Sequence, residues 1–508
     1  MFPAVDWVAH HALTKPNAPA LINLDDGLSR TWAELDARVG RLAHGLLNEW
    51  GLSRGDRIAL LSNGDVRFFE LQFACMRAGL VMMPLNFRLT PAELAALGSE
   101  MDAAMLVNDA AWADAADEVA AIAGVSRRLS WGTAGSAFDR MGDHGPILPA
   151  QDDIGSDHPT HILFTSGTTG KTKGAYSTHG TLIAHSLNQA EFAGVAQDGA
   201  HVFVPLPLFH AGGLTIANPI LYFGGQVTVA GRFDPAAAAG VLGDKARGVT
   251  HFSLVPLMYR MIADTPEFAA ADLSGLRVAL IAGGRLTPEL LETYAAKGVH
   301  FTTQYGGTET GPTITALDPA RSDKALAGSC GQKAKHVDIR LVDPAGNDVP
   351  ESQPGEVWVR GPAITPGYVG RPRDMDFTDD WFRTGDVARR DDQGFYYIVD
   401  RVKDMYKSGG ENVSSVEVEE VLIQHPAIAE VGVIGIAHEK WGEVGLAVVA
   451  LNADHSLTVE ELQSFCNGQL ARFKQPKALQ IVDALPRNVT GKIAKAQLRE
   501  MFGGTRSA

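Results

Sequence analysis

Short strand-like runs recur at Ile58–Leu61, His161–Phe164, His201–Val204, His251–Leu254 and Val278–Ile281, with helix-length segments between several of them. That rhythm predicts α/β layering with largely parallel sheets. An early helix is marked by Thr31 and Glu34, which have capping-box spacing, and by Leu35, Val39, Leu42 and Leu46 on one face behind them.

The texture changes after about residue 330. Ile339–Val342, Val357–Val359 and Tyr396–Val399 are short strands separated by Pro, Gly and Asp turns, a β-rich stretch. Beyond Lys403 a small α/β unit begins. Ser414 with Glu417 has cap spacing, Val418, Val421 and Leu422 face one way, strands follow at Val431–Ile436 and Leu446–Leu451, and Thr458 with Glu461 opens another helix. A unit of about a hundred residues folds independently. The expected architecture is therefore a large α/β domain over residues 1–402, built of layered subdomains plus a β-rich one. A small, mobile α+β domain follows over residues 403–508.

Composition narrows the partners. Among 508 residues the formal net charge is −15, which argues against a bulk polyanion such as DNA but leaves room for a small phosphorylated ligand. Cys75, Cys330 and Cys466 are too dispersed for a disulfide framework. The opening MFPAVDWVAHHALTKP lacks a basic stretch followed by an apolar run, and no apolar stretch approaches membrane-spanning length. A reduced, cytoplasmic enzyme is the expectation.

Five motifs carry chemistry. The first, TSGTTGKTKG from Thr165 to Gly174, directly follows the strand ending at Phe164. Its glycines, hydroxyls and lysines compose a phosphate nest. A Walker A loop would need Gly at 165, where Thr stands, and no two glycines are spaced for GxGxxG. The second is Tyr305-Gly306-Gly307-Thr308-Glu309 after a strand read as Val299–Thr303. An aromatic there can stack on a base, and a carboxylate beside a phosphate site calls for a hard cation such as Mg²⁺. The third, Arg383-Thr384-Gly385-Asp386, offers an acid that can accept both ribose hydroxyls. The fourth, Asp400-Arg401-Val402-Lys403-Asp404 followed by Ser408-Gly409-Gly410-Glu411-Asn412, sits at the domain boundary. The fifth, Pro486 to Ile493, presents Lys492 after a Thr-Gly turn as a point charge. Taken singly, all but the first read equally well as ordinary polar turns or linkers.

In this order the motifs resemble the adenylate-forming superfamily of acyl- and aryl-CoA synthetases, luciferases and nonribosomal adenylation domains, over essentially the whole chain. The resemblance implies ATP, Mg²⁺ and coenzyme A as cofactor and co-substrates. It implies phosphate binding by Thr165, Ser166, Gly167, Thr168, Thr169, Gly170 and Lys171. Tyr305, with Gly283 and Gly284, would meet the nucleotide; Thr308 would touch the α-phosphate and Glu309 would hold Mg²⁺. Asp386 would take the ribose with help from Arg401, Lys403 would be the hinge pivot, and Gly409 and Gly410 would line the pantetheine path. Lys492 would be the catalytic lysine and His210 the gate beside the reacting carboxylate. Weaker carry-overs put Arg88, Arg472 or Lys474, and Trp441 near CoA.

The implied activity is ATP-dependent conversion of a carboxylic acid to acyl-AMP with pyrophosphate release, then transfer to CoA. His210, Gly213, Ala282 and Gly307 would shape the acid pocket. Small residues after His210 argue against an amino acid and favour a medium or long fatty acid. An arylalkenoate is the alternative, and Arg285 raises a dicarboxylate. A non-CoA adenylating enzyme ranks below these. A generic phosphohydrolase is disfavoured by the loop spacing, and a non-catalytic adenylate sensor by the presence of both Glu309 and Lys492. A homodimer is left open.

Overall fold

The computed structural model describes residues 6–166, 172–281, 283–284, 287–318, 320–487 and 493–503. These form two compact units. One runs up to residue 338 and includes 359–382; the other holds 339–358 and the chain from 383 onwards.

The first unit carries two sheets. In the six-stranded sheet the order is Arg128–Trp131, Ala103–Asp109, Arg57–Leu61, Val81–Pro84, Pro159–Ser166 and Thr172–Thr178. The first five are parallel, and the last returns antiparallel against Pro159–Ser166. The nine-stranded sheet has a parallel centre of Phe301–Tyr305, Val278–Ile281, His251–Leu254, His201–Val204, Gln226–Val229 and Pro19–Asn23. Short antiparallel strands close both of its edges. Strands such as Val278–Ile281 are buried on both faces, the reason they read as continuous apolar runs rather than alternating ones. The strand before the second motif begins two residues later than the sequence reading of Val299–Thr303, at Phe301, and Tyr305 is its last residue.

The anticipated helix is Trp32–Asn48, opened by a complete Thr31–Glu34 capping box. Leu35, Val39, Leu42 and Leu46 are fully buried in a core shared with Phe69, Val202, Leu214 and Leu280. Full burial of each such side chain contributes about 1.5–3 kcal/mol. This core joins both sheets, so the ends of their strands are held in fixed relation within the unit.

The second unit contains a five-stranded sheet built on the long antiparallel pair Ile428–His438 and Gly442–Leu451. Helices Ser415–Leu422 and Val459–Cys466 cover it, capped by Ser414 and by a Thr458–Glu461 box. Their apolar face packs Val418, Leu422 and Leu462 against Val431, Val433 and Val449. Among the described residues no helix is long and apolar enough to cross a membrane.

Candidate active site

Open α/β sheets bind ligands beyond the carboxyl ends of their strands, and the sequence-derived segments of the first unit emerge there. Thr165 is the penultimate residue of strand Pro159–Ser166 in the six-stranded sheet. The stretches leading to His210, to Gly283 and Gly284, and to Thr308 follow strands His201–Val204, Val278–Ile281 and Phe301–Tyr305 of the nine-stranded sheet, the last two adjacent and the first separated from them by His251–Leu254.

Thr308 and Glu309 open a single 3-10 turn after Tyr305. The turn is tight enough that Gly306 admits no side chain: a Cβ there would lie 2.3 Å from the Pro312 carbonyl oxygen. Glu309 is thereby presented to two donors. The Thr165 hydroxyl donates to its Oε1 at 3.0 Å and the Tyr368 hydroxyl to the same atom at 2.7 Å. Its Oε2 accepts no hydrogen bond from a described residue. Burial, and then the Glu309 charge, push the Tyr368 phenol well above its ordinary value, so the hydroxyl stays protonated and donating. Beside it, Lys173 lies 4.6 Å from the Tyr368 ring centroid and pairs with Asp376 at 3.1 Å; Arg371 also pairs with Asp376.

Tyr368 was not anticipated. Its only sequence signal is its place in Gly367-Tyr368-Val369-Gly370, and its relation to Glu309 spans 59 positions. The segment is laid on strand Thr172–Thr178 by Tyr176 N–H to Gly367 O and Val369 N–H to Gly174 O. Because the Tyr368 hydroxyl holds one oxygen of the Glu309 carboxylate, Tyr368→Phe is expected to raise the Mg²⁺ requirement by about 10-fold, read as the half-saturating Mg²⁺ in pyrophosphate release. An unchanged requirement would remove Tyr368 from the site.

His210 caps the short helix Ala211–Leu214, its Nδ1 accepting from Gly212 N–H at 3.1 Å. It is exposed. The adjacent Phe209 meets Phe87 edge-on at 5.0 Å, and the Arg88 guanidinium lies 5.9 Å from the Phe209 ring centroid. Arg88 is thus placed next to the gate candidate. A pocket opens between the strands and helices of this unit, with His161, Leu163, His185, Leu214, Thr308 and Pro312 among its walls. Thr308 joins it to the nucleotide-side motif. Gly213 and Gly307 do not line it.

In the second unit, Asp386 and Arg401 face each other across the antiparallel pair Trp381–Arg390 and Tyr396–Arg401, with Arg401 Nε donating to Asp386 Oδ1 at 2.9 Å. Asp400 is buried and accepts at Oδ2 from Ser415 N–H at 2.6 Å and the Ser415 hydroxyl at 2.9 Å, at the amino end of Ser415–Leu422, where the helix dipole favours an acid. Asp404 pairs with Arg499 at 2.8 Å. Between them Lys403 is half-buried, and that burial lowers its ammonium pKa. Gly409 and Gly410 take left-handed φ values of 63° and 90°. Gly409 N–H donates to Trp441 O at 2.9 Å, which brings together two segments the sequence connected only by resemblance. Lys474 is bound to Glu417 at 2.6 Å, whereas Arg472 is exposed.

Gly167, Thr168, Thr169, Gly170 and Lys171 lie outside the described residues, as do Ala282, Arg285 and Lys492; Ser166 is described in its backbone alone.

The donor set near Glu309 fits a hard cation shared with phosphates. Among the described residues no cluster of three or more His, Cys, Asp or Glu side chains could hold a metal alone. Mg²⁺ characteristically uses one or two carboxylates and takes its remaining ligands from water and substrate phosphate. Glu309, fixed by Thr165 and Tyr368, is such a carboxylate.

Comparison with known proteins agrees with this chemistry. Residues 8–369 match the AMP-binding enzyme family and residues 417–492 the AMP-binding enzyme C-terminal domain. The chain is 38% identical to a feruloyl-CoA synthase of Amycolatopsis sp, covering 98% of each protein. It is 32% identical to a long-chain-fatty-acid–CoA ligase of Mycobacterium tuberculosis, covering 99% of each. Among solved structures, it superposes on the o-succinylbenzoate coenzyme A synthetase of Bacillus subtilis in complex with ATP and a magnesium ion, with TM-score 0.84 and 28% identity over 97% of this chain and 99% of that one. Two-domain coverage, the nucleotide-side motif and these relatives lead to one statement: the chain belongs to the AMP-binding enzyme family, as an AMP-forming acid–thiol ligase that uses ATP, Mg²⁺ and coenzyme A.

Proposed function

We propose that this acyl- or aryl-CoA ligase activates an arylalkenoic acid, with medium or long fatty acids as the second reading. The observation that carries the proposal is the character of the pocket wall. Leu163, Leu182 and Leu214 supply apolar surface, but His161, His185 and Asn218 are buried polar groups on the same wall. His185 Nε2 pairs with the Thr215 carbonyl and Asn218 Oδ1 accepts from Gln72, so the wall is a mixed polar and apolar surface, a poorer match to an unfunctionalised polymethylene chain than to a conjugated aryl acid. The sequence preference for fatty acids rested on glycines leaving volume. Gly213 has a different reason to lack a side chain: a Cβ there would come within 2.6 Å of the Pro207 carbonyl oxygen. The feruloyl-CoA synthase relative supports the aryl reading, and the long-chain-fatty-acid–CoA ligase relative supports the second.

In the first half-reaction a carboxylate oxygen bonds to the α-phosphorus of ATP and the bond to pyrophosphate breaks. In the second, the CoA thiol adds to the acyl-adenylate carbonyl and AMP leaves. Charge develops at phosphorus, so positioning and electrostatic stabilisation dominate the first step. Mg²⁺, when bound, neutralises charge on the ATP phosphates. We assign Glu309 to hold it, with Thr165 and Tyr368 orienting the carboxylate. Thr308 and the loop from Thr165 to Lys171 take phosphate, Tyr305 with Gly283 and Gly284 the base, and Asp386 with Arg401 the ribose. His210 stands at the gate to the acid; Gly213, Ala282 and Gly307 remain assigned to its surroundings. Lys492 acts in adenylation. Lys403 is the pivot between functional domains 1–402 and 403–508, and Gly409 and Gly410 guide pantetheine.

Acid-dependent pyrophosphate release over a panel of cinnamates, saturated fatty acids and dicarboxylates, with and without CoA, tests the reading. The expected order places a cinnamate first by at least about 10-fold in kcat/KM, near the discrimination one misplaced group produces. A fatty acid ranking first by that margin would replace the aryl reading with the second one.

A further inference from the structure

Lys173 belongs to the phosphate-loop motif by sequence, yet in the fold its ammonium lies against a carboxylate and an aromatic ring. Strand Thr172–Thr178 runs between Pro159–Ser166 and the segment around Tyr368. Lys173 stands directly opposite Thr165 on one side, and Ala175 bridges antiparallel to Tyr368 on the other. Opposed residues share a face of a sheet, and so do residues two apart on one strand. Thr165, Lys173, Ala175 and Tyr368 therefore stand on one face, with Lys173 diagonal to Tyr368. A long side chain reaches such a diagonal neighbour, and the Lys173 ammonium lies 4.6 Å from the Tyr368 ring centroid. Thr165 and Tyr368 are the two residues whose hydroxyls donate to Glu309 Oε1. The Lys173 side chain is 13% exposed and that of Asp376, its partner at 3.1 Å, 12%. Burial works to raise the Asp376 pKa, but Arg371 and Lys173 outweigh it and hold the group below its ordinary value, so the partner of Lys173 is a carboxylate near pH 7.

We propose that Lys173 is a positioning residue for the metal carboxylate: its ammonium, anchored by Asp376, seats the Tyr368 ring so that the phenol stays on Glu309 Oε1. On this account Lys173 is not a phosphate ligand, although the motif that contains it binds phosphate. The inference rests on the assignment of Glu309 to Mg²⁺ made above. A cation over an aromatic face is attracted to it, and more strongly where water is excluded. The ring is thereby fixed by its backbone neighbours on one side and by the ammonium on the other, and only a fixed ring keeps its hydroxyl aimed at one carboxylate oxygen. The two hydroxyls on Oε1 and the lysine behind one of them come from a single rung of the hairpin and the segment laid beside it.

The experiment measures binding of α,β-methylene-ATP, which cannot release pyrophosphate, by calorimetry at a series of Mg²⁺ concentrations, and reads the half-saturating Mg²⁺. No acid is present, so the result does not depend on which acid is the substrate. The proteins are the wild type, Lys173→Met, Lys173→Arg, Tyr368→Phe, Glu309→Gln and the double variant Lys173→Met/Tyr368→Phe. Lys173→Met is expected to raise the half-saturating Mg²⁺ by about 5-fold, the size of a partly desolvated cation–ring contact, and Lys173→Arg should recover most of the wild-type value. The double variant should show no more than the effect of Tyr368→Phe alone, about 10-fold, because Lys173 acts through that hydroxyl. An unchanged requirement in Lys173→Met overturns the proposal. So does a double variant at the product of the single effects, about 50-fold, the mark of a lysine acting independently of the tyrosine. Asp376 keeps Arg371 when Lys173 is removed. Should Lys173→Met still fail to fold, Asp376→Asn carries the test: a raised requirement supports the proposal and an unchanged one overturns it. A shift in Glu309→Gln with none in Tyr368→Phe or Lys173→Met overturns the proposal and leaves the metal reading standing; no shift in any of the three overturns both.

Discussion

Replacing Lys492 by alanine is expected to lower acid-dependent pyrophosphate release by about 10²–10³-fold, the loss that follows removal of one preorganised donor from a developing anion. The physical case begins with charge. Carboxylate and triphosphate are both anionic, and bringing an oxygen of one to the phosphorus of the other accumulates negative charge at the point of attack. A lysine on a loop is a compact, flexible cation suited to bridging them. From Arg472 to the end, eight Lys or Arg stand against two Asp or Glu in a protein whose net charge is −15, and Lys474, Arg487, Lys495 and Arg499 of these are paired with acids from earlier in the chain. Thiol attack on a preformed acyl adenylate expels AMP without a new carboxylate–phosphate contact. Thioester formation from added acyl adenylate should therefore fall far less than pyrophosphate release. Near-wild-type adenylation in Lys492→Ala would refute the role, and equal loss of both half-reactions would point to a damaged fold instead.

The second large effect concerns Glu309. Glu309→Gln keeps size and removes the formal charge, and kcat/KM for ATP is expected to fall by about 10²-fold, a loss at or beyond the upper end of those seen when groups supporting a metal site are removed. Two donors converge on Oε1, the Thr165 hydroxyl at 3.0 Å and the Tyr368 hydroxyl at 2.7 Å. Both suit a carboxylate held in one orientation, and a neutral amide is the weaker partner for each. Raising Mg²⁺ should recover part of the loss in Glu309→Gln, and more of it in Tyr368→Phe, where the carboxylate remains. A wild-type Mg²⁺ dependence in Glu309→Gln would dissociate this residue from the metal.

The motifs were legible because each is short and contiguous. Tyr305 to Glu309 is one turn after one strand, and the Gly306 requirement is local, since the chain folds back on Pro312 only a few positions later. Capping boxes at Thr31 and Thr458 were readable for the same reason, with both partners inside one helical turn. Tyr368 was not, because nothing in a tyrosine between glycines announces a carboxylate 59 positions away. His161 was read only as the first residue of an apolar run.

By itself the sequence determined the α/β class and the order of the motifs to which ATP contacts are assigned, because secondary-structure periodicity and turn chemistry are local properties of the chain. The tertiary structure alone decided which side chains share a wall. It set Tyr368 and Thr165 on one oxygen of Glu309 and gave Gly213 a backbone neighbour in place of substrate volume. Pairing and burial depend on contacts between distant segments, and those arise only when the sheets and helices of the unit close on a common core.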